Sequence, residues 1–484
     1  MNKSWLAVSI LLAGLVGCHQ PMDGPVAFTH VTVIDATGTS PQPDMTLVVA
    51  DGRIASLEKS GANVVPASAL VVNASGKFVI PGLWDMHVHT MQSITSGGKS
   101  FDLYETFFPL FVANGITGVR DMNGDLNILV RAREKVDRAE IVGPRVIAAG
   151  LIVEGTKWSF GSLAVSSPDD GRRAVRTLIE RGANFVKVGS TVPRDAYFAI
   201  AAEAKARHVP LAGHVPLGVT ATEASDSGQR SIEHLDGVLL ASSPDERRLR
   251  DEMQKVMNTT DFGVLWLSRV RAEAKALETY DAQRAEDLTA HFLKNGTWQV
   301  PTLVLKRATA SLQDKSFTND QRLAYIPSYL SATWGANNVL TAKYAPEDYV
   351  NDSRVLEKLL QLVGTMHHAG VKFMPGTDTS DPYIFPGFSV HDELALFVRA
   401  GMTPMEALRT ATWNPAEYLG ITDSAGSVAV GKVADLVFLD ANPIEEIRNT
   451  QRIWAVVVRG KVLQKTALEA LLTLRKAAAK AGGA

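Results

Sequence analysis

Leu83-Trp-Asp-Met-His-Val-His89 opens as a short apolar run and ends in two histidines, and its place in the chain decides the fold. A run this short, preceded by Pro81-Gly82, reads as a strand buried on both faces. More such runs follow: Gly118-Val119, Arg145–Ala149, Phe185–Val188, Val209–Ala212, Arg230–Glu233, Gln299–Thr302 and Lys372–Met374. Between them lie amphipathic windows such as Gly171–Arg181 and Asp195–Ala206. Strand–helix units in succession build a parallel sheet with helices outside. The opening run included, there are eight units, enough to close that sheet. The expected class is therefore α/β, a TIM-like (β/α)8 barrel.

The flanking sequence has a different rhythm. Phe28-Thr-His-Val-Thr-Val-Ile34 alternates, Thr46–Ala50 follows, and Asp51-Gly52 marks a hairpin turn before Arg53-Ile54. Val71-Val72 and Phe78–Ile80 add strands, and the pattern returns after Gly426 with Ala434–Leu439, Trp454–Val458 and Lys461-Val462. Such strands must cover one face. Residues 26–80 and 423–465 are thus expected to be two parts of one small β-sandwich, built from both chain ends around a barrel of residues 81–422. Residues 466–484 read as an Ala/Lys-rich helical tail. Two long helical stretches, 236–295 and 311–352, either cover the barrel mouth or serve as plain outer helices.

The chain has 484 residues, 46% of them hydrophobic, which supports a large core and excludes disorder as the main state. Lys+Arg 49 against Asp+Glu 51 leaves a net charge of −2, so no strong field attracts nucleic acid. A single cysteine excludes a disulfide framework and a cysteine-based metal cluster. That cysteine follows a basic start at Lys3 and an apolar stretch from Trp5 to Val16. Residues 1–17 read as a signal peptide, too short to span a bilayer, and 18–25 as a linker. Leu15-Val16-Gly17-Cys18 resembles the lipobox of bacterial lipoproteins, which implies lipidation of Cys18. An ordinary signal peptide with Cys18 incidental is the plainer alternative. His19 stands where an aspartate would signal inner-membrane retention. The expectation is export across the inner membrane and a lipid anchor at the periplasmic face of the outer membrane.

Several polar residues close the apolar runs. His87 and His89 are two apart on a strand, so both imidazoles share a face and can reach one point. Two imidazoles at a barrel mouth suit a divalent metal, although two packing histidines would give the same spacing. His214 follows Val209–Gly213, His234 follows Ser231–Glu233, and Asp378 follows Met374–Thr377. Residues at the ends of different barrel strands gather at one mouth. Lys187 lies inside Ala183-Asn-Phe-Val-Lys-Val-Gly189. Burial would lower its pKa and let the neutral amine take up carbon dioxide as a carbamate. By position alone, a lysine snorkelling at the strand end is the simpler reading.

Gly82–His89, Gly115–Asp121, Gly182–Val188, Ser231–His234 and Gly376-Thr-Asp378 together resemble the motif series of the amidohydrolase superfamily. Gly401–Leu408, Ala411–Ala416 and Gly431–Leu436 resemble its imidazolonepropionase-like branch, which also holds dipeptidases and ochratoxin-type amidases. The resemblance implies two divalent cations. His87, His89 and Asp378 would hold one, His214 and His234 the other, and Lys187 as a carbamate would bridge them. Zinc is the expected ion, with manganese or cobalt as substitutes. It further implies hydrolysis of a C–N amide bond in a small molecule or short peptide by a bridging hydroxide, with Asp378 moving the proton.

Other readings keep the site but change the reaction to that of a lactonase or phosphotriesterase, or make the chain a non-catalytic metal-binding surface protein. Val215-Pro-Leu-Gly218 and the loop Leu151–Ser159 depart from dipeptidase-like patterns and leave the substrate open. His391 in Ser389–Glu393 either contacts substrate or caps the helix that begins there. Arg120 and Asp121 read as a structural pair.

Overall fold

The computed structural model describes residues 24–61, 65–96, 99–335 and 338–480. The expected signal peptide and the lipidation site Cys18 lie outside the described residues. Among these, no helix is long and apolar enough to cross a membrane.

The barrel strands are Leu83–Val88, Ile116–Asp121, Arg145–Ala148, Val186–Val188, Leu211–Gly213, Gln229–Glu233 and Trp298–Val300. Every residue of the first two is buried, as parallel strands covered on both faces require. Adjacent strands pair in parallel, with Lys187 opposite Ala212 and Ile232 opposite Gln299. The eighth position is an irregular stretch, residues 372–379. Gln299 N donates to Lys372 O and Met374 N to Gln299 O, each at 3.0 Å. On its other side Met86 N donates to Pro375 O and Asp378 N to His87 O, each at 2.8 Å. Asn184 joins the third and fourth strands by donating its N–H to Ala148 O at 2.8 Å and accepting from Ala148 N at 2.9 Å. The ring thus closes, and the closure between residues 372–379 and the first strand runs through His87 and Asp378 themselves.

Gly118 is fixed by packing inside this ring. A Cβ there would stand 2.3 Å from the Trp84 indole, so a side chain would displace the ring. Outside, Ser167 caps the helix Pro168–Glu180 by accepting from Asp170 N, and the helix packs Ala174, Val175 and Leu178 inward.

The two chain ends build one continuous eight-stranded sheet. Its order is Lys461–Gln464, Ile453–Val458, Leu436–Leu439, Phe78–Pro81, Val26–Val33, Gln42–Ala50, Arg53–Lys59, with Leu70–Asn73 also paired to Val26–Val33. Alternation sorts its faces. Leu436 and Phe438 join Phe28 and Leu47 in the sheet's own core, where the Phe28 and Phe438 rings lie 4.2 Å apart. Val437 and Leu439 point the other way, into the barrel core. The tail is the helix Lys465–Lys480, which packs Leu468 against Val112, Val456 and Val458.

Both long helical stretches reach the barrel mouth. The first supplies Phe262, Leu265 and Trp266 to the wall of the cavity there, and the second supplies Leu330, Trp334 and Leu340.

Candidate metal centre

At the mouth, His87, His234 and Asp378 each bring one donor atom within 4.8 Å of the others. Asp378 Oδ1 lies 2.9 Å from His89 Nε2 and 3.3 Å from His87 Nε2, and its Oδ2 is 3.7 Å from His234 Nδ1. Lys187 Nζ is 3.3 Å from His87 Nε2. The His214 and His234 rings are 5.0 Å apart, and those of His87 and His234 4.7 Å. All six residues singled out from the strand ends therefore meet in one cluster. His234 sits nearer to His87 and Asp378 than a clean division into two separate ligand groups implies.

Local backbone geometry aims these side chains. His234, Thr302 and Asp378 adopt φ of 61°, 46° and 63°, left-handed values that non-glycine residues rarely take. His234 and Asp378 line the cavity at the mouth, and the Thr302 hydroxyl bonds His234. Strain of this kind persists where surrounding structure enforces it.

A second ring of contacts orients the imidazoles. His87 Nδ1 meets the Glu233 carboxylate Oε2 at 2.8 Å, both side chains fully buried, which fixes the ring with Nε2 toward the cluster. His214 Nδ1 bonds Ser190 Oγ at 2.9 Å and His234 Nδ1 bonds Thr302 Oγ1 at 2.7 Å, leaving each Nε2 uncommitted. Glu233 is held in turn by Arg120, whose Nη2 donates to its two oxygens at 2.8 and 2.9 Å. Arg120 also donates to Met86 O, Ser231 Oγ and Tyr418 OH.

The expected Arg120–Asp121 pair is corrected here. Asp121 accepts from Thr90 N, Thr90 Oγ1 and Met91 N, because neighbours on a strand face opposite sides. Glu233 was the functional residue hardest to see in the sequence. Its signal was a carboxylate inside a buried run, which demands a cationic partner.

The substrate-contact alternative for His391 is also corrected. It is buried within the helix Phe388–Arg399, whose N-cap is Gly387. Its Nδ1 bonds Thr450 Oγ1 at 2.9 Å and its Nε2 bonds Asn114 O at 3.1 Å, tying three segments together away from the cavity. Burial pushes it down to about 4.

Electrostatics favour metal ligation. Burial, with Lys187 and Arg269 nearby, holds His214 well below the ordinary histidine value, and burial does the same for His234 against the pull of Asp378. Burial likewise lowers Lys187, toward the neutral amine. For Asp378 burial acts upward but is overcome by the His87 and His234 imidazoles, so its carboxyl stays well below the usual range. His87 Nε2 and Asp378 Oδ1 face each other at 3.3 Å. A shared cation satisfies both, and neutral imidazoles with a carboxylate suit a borderline divalent ion. The residues fit the expected metals.

The same shifts set a stability slope. The unfolded chain takes up protons at His214 and His234 near pH 6.5, while the folded chain refuses them until well below it. Stability of the metal-depleted protein should fall as pH drops below about 6.5. Thermal melts at pH 7 and pH 5 check this, and an unchanged midpoint would contradict the burial of neutral imidazoles.

Above the cluster lies a cavity of about 390 Å³, lined by His89, Lys187, His214, His234 and Asp378 at its floor and largely by apolar side chains elsewhere. A family model described as the amidohydrolase family matches residues 78–463. The chain is 25% identical over 439 residues to a protein named ochratoxinase from Aspergillus niger, covering 78% of this chain and 73% of that one. It is 49% identical over 463 residues to one named dihydroorotase from Pelotomaculum thermopropionicum, covering 90% and 93%. The solved structure of a bottromycin amidohydrolase shares the fold with a TM-score of 0.72 at 24% identity, covering 95% of this chain and 91% of that one. With these strands, this ligand-type cluster and a match over most of its length, the chain belongs to the amidohydrolase family.

Proposed function

We propose that this protein is a metal-dependent hydrolase that cleaves the C–N amide bond of a small molecule or short peptide. The observation that carries the reading is the convergence of His87, His234 and Asp378, the last two lining an apolar-walled cavity. Two divalent cations, zinc by preference, would be held by His87, His89, Asp378, His214 and His234, with Lys187 as a carbamate between them. Bound there, they would supply an acidified water and polarise the scissile carbonyl. The chain's own residues do the rest. Glu233, Ser190 and Thr302 fix the imidazoles so that little reorganises during turnover. Asp378, ionised and placed against His87 and His89, takes the proton from the attacking water at its carboxylate and passes it to the departing amine. The aromatic and aliphatic wall excludes bulk water from that exchange. A lipid anchor at Cys18, facing the periplasm, is part of the same proposal and rests on the sequence alone.

A panel of N-acyl amino acids, dipeptides, lactones and phosphotriesters, assayed on the purified protein, tests the assignment. Amide hydrolysis should disappear with chelation and return with zinc. Turnover of lactones or phosphotriesters alone, or activity indifferent to metal removal, would overturn it. In the same preparation Lys187→Met should reduce bound metal from two ions to one by elemental analysis, whereas two retained ions would remove its bridging role.

A further inference from the structure

His234 closes its strand with the chain in a left-handed turn, φ 61°, and Leu235 repeats it at φ 52°. Two such residues in succession persist only where surrounding contacts fix them. Three contacts grip His234. Its N donates to Val300 O at 2.8 Å, and its Nδ1 bonds Thr302 Oγ1 at 2.7 Å. Its carbonyl accepts from Arg269 Nη2 at 3.3 Å, the one donor to that oxygen among the described residues.

Arg269 is itself tied into a closed circuit of polar side chains. It lies on the helix Phe262–Glu278, where its Nε donates to Glu273 Oε1 at 3.0 Å. Lys306 Nζ donates to Glu273 Oε2 at 2.8 Å and to Asp352 Oδ1 at 3.2 Å. Tyr344 OH donates to Asp352 Oδ2 and accepts from Trp266 Nε1, each at 2.8 Å, which returns the circuit to the first helix. Glu273, Lys306 and Asp352 are all buried. Burial acts upward on Glu273 but Lys306 and Arg269 overcome it, so its carboxyl stays below the ordinary value. Charges taken out of water in this way keep one geometry only while each stays paired. The circuit joins both long helical stretches to the helix Leu303–Ser311, whose N-cap is Thr302. His234 is thus held by ring and carbonyl from the same assembly.

We infer that Arg269 is a positioning residue of the metal centre: by holding the His234 carbonyl it fixes where that imidazole stands. The inference rests on the metal-dependent reading above and adds a residue that acts through a ligand and is not one itself. Arginine suits the task because its planar fork serves Glu273 with Nε and His234 with Nη2 at once. A lysine offers one point charge, and serves Glu273 or the carbonyl but not both. Asp236 stands 3.5 Å from Arg269 Nε and accepts from Val215 N, the residue after His214. The same guanidinium therefore backs the segments of both imidazoles on this side of the centre.

Zinc titration of the metal-depleted full chain against a chromogenic chelator, with thermal melts on the same samples, tests this. Arg269→Met should weaken zinc binding about tenfold to a hundredfold, the range for losing a contact behind a metal ligand. Arg269→Lys keeps a cation beside Glu273, so it should recover melting temperature lost in Arg269→Met while zinc binding stays weakened. Tyr344→Phe opens the same circuit away from His234, so it should lower the melting temperature and leave zinc affinity at the wild-type value. Should Arg269→Met fail to fold, Arg269→Lys set against Tyr344→Phe carries the comparison. Wild-type zinc affinity in either Arg269 variant overturns the proposal. Equal weakening by Tyr344→Phe also overturns it, because the effect would then be a general loosening of the fold. A wild-type chain that binds no zinc would overturn the metal-dependent reading, and the proposal with it.

Discussion

Asp378→Asn should lower turnover of the best amide substrate by about a thousandfold, within the range for removing a positioned general base. Asn is the informative replacement because it tolerates the left-handed backbone found at this position, φ 63°. The fold and much of the metal binding should survive, since the amide oxygen still offers a lone pair. What is lost is the anion that His87 and His234 hold ionised, and with it the group that moves the proton. Steady-state kinetics, elemental analysis and a thermal melt on one preparation separate these effects. Retained turnover would take the proton-transfer role away from Asp378.

Glu233→Gln should reach further than a single lost contact. The carboxylate accepts from Arg120 on one side and His87 on the other, all three side chains being fully buried. A Gln amide has one accepting oxygen and one donating nitrogen, so its NH2 must face another donor. Arg120 is left a buried cation without a counter-charge, a change that costs about 3–5 kcal/mol. The Phe185 and Tyr418 rings, 5.4 and 5.3 Å from its guanidinium, compensate only in part. His87 also loses the acceptor that fixes its tautomer, which should weaken metal affinity by about tenfold to a hundredfold. Denaturant unfolding and metal titration read the two consequences independently. A stability change below about 1 kcal/mol would show that Arg120 and His87 are held by something other than Glu233.

The barrel was legible because its strands are buried on both faces, which makes them short unbroken apolar runs at helical spacing. The eighth was legible as Lys372–Met374, yet its hydrogen bonds extend to Thr379 through irregular backbone that no periodicity marks. His391 shows the limit of position alone: it follows the eighth strand as a substrate contact would, yet Asn114 and Thr450, distant in the chain, claim both of its nitrogens.

The order of apolar runs and the polar residue closing each one determined the barrel and its candidate ligands. Both are properties of neighbouring residues and are written along the chain. Only the tertiary structure decided that Arg120 serves Glu233 and not Asp121, and that Thr302 and Ser190 orient imidazoles. Those facts depend on which groups burial brings together and which it leaves without water. That is settled by packing between segments far apart in sequence, where a buried donor must find an acceptor or remain unpaired.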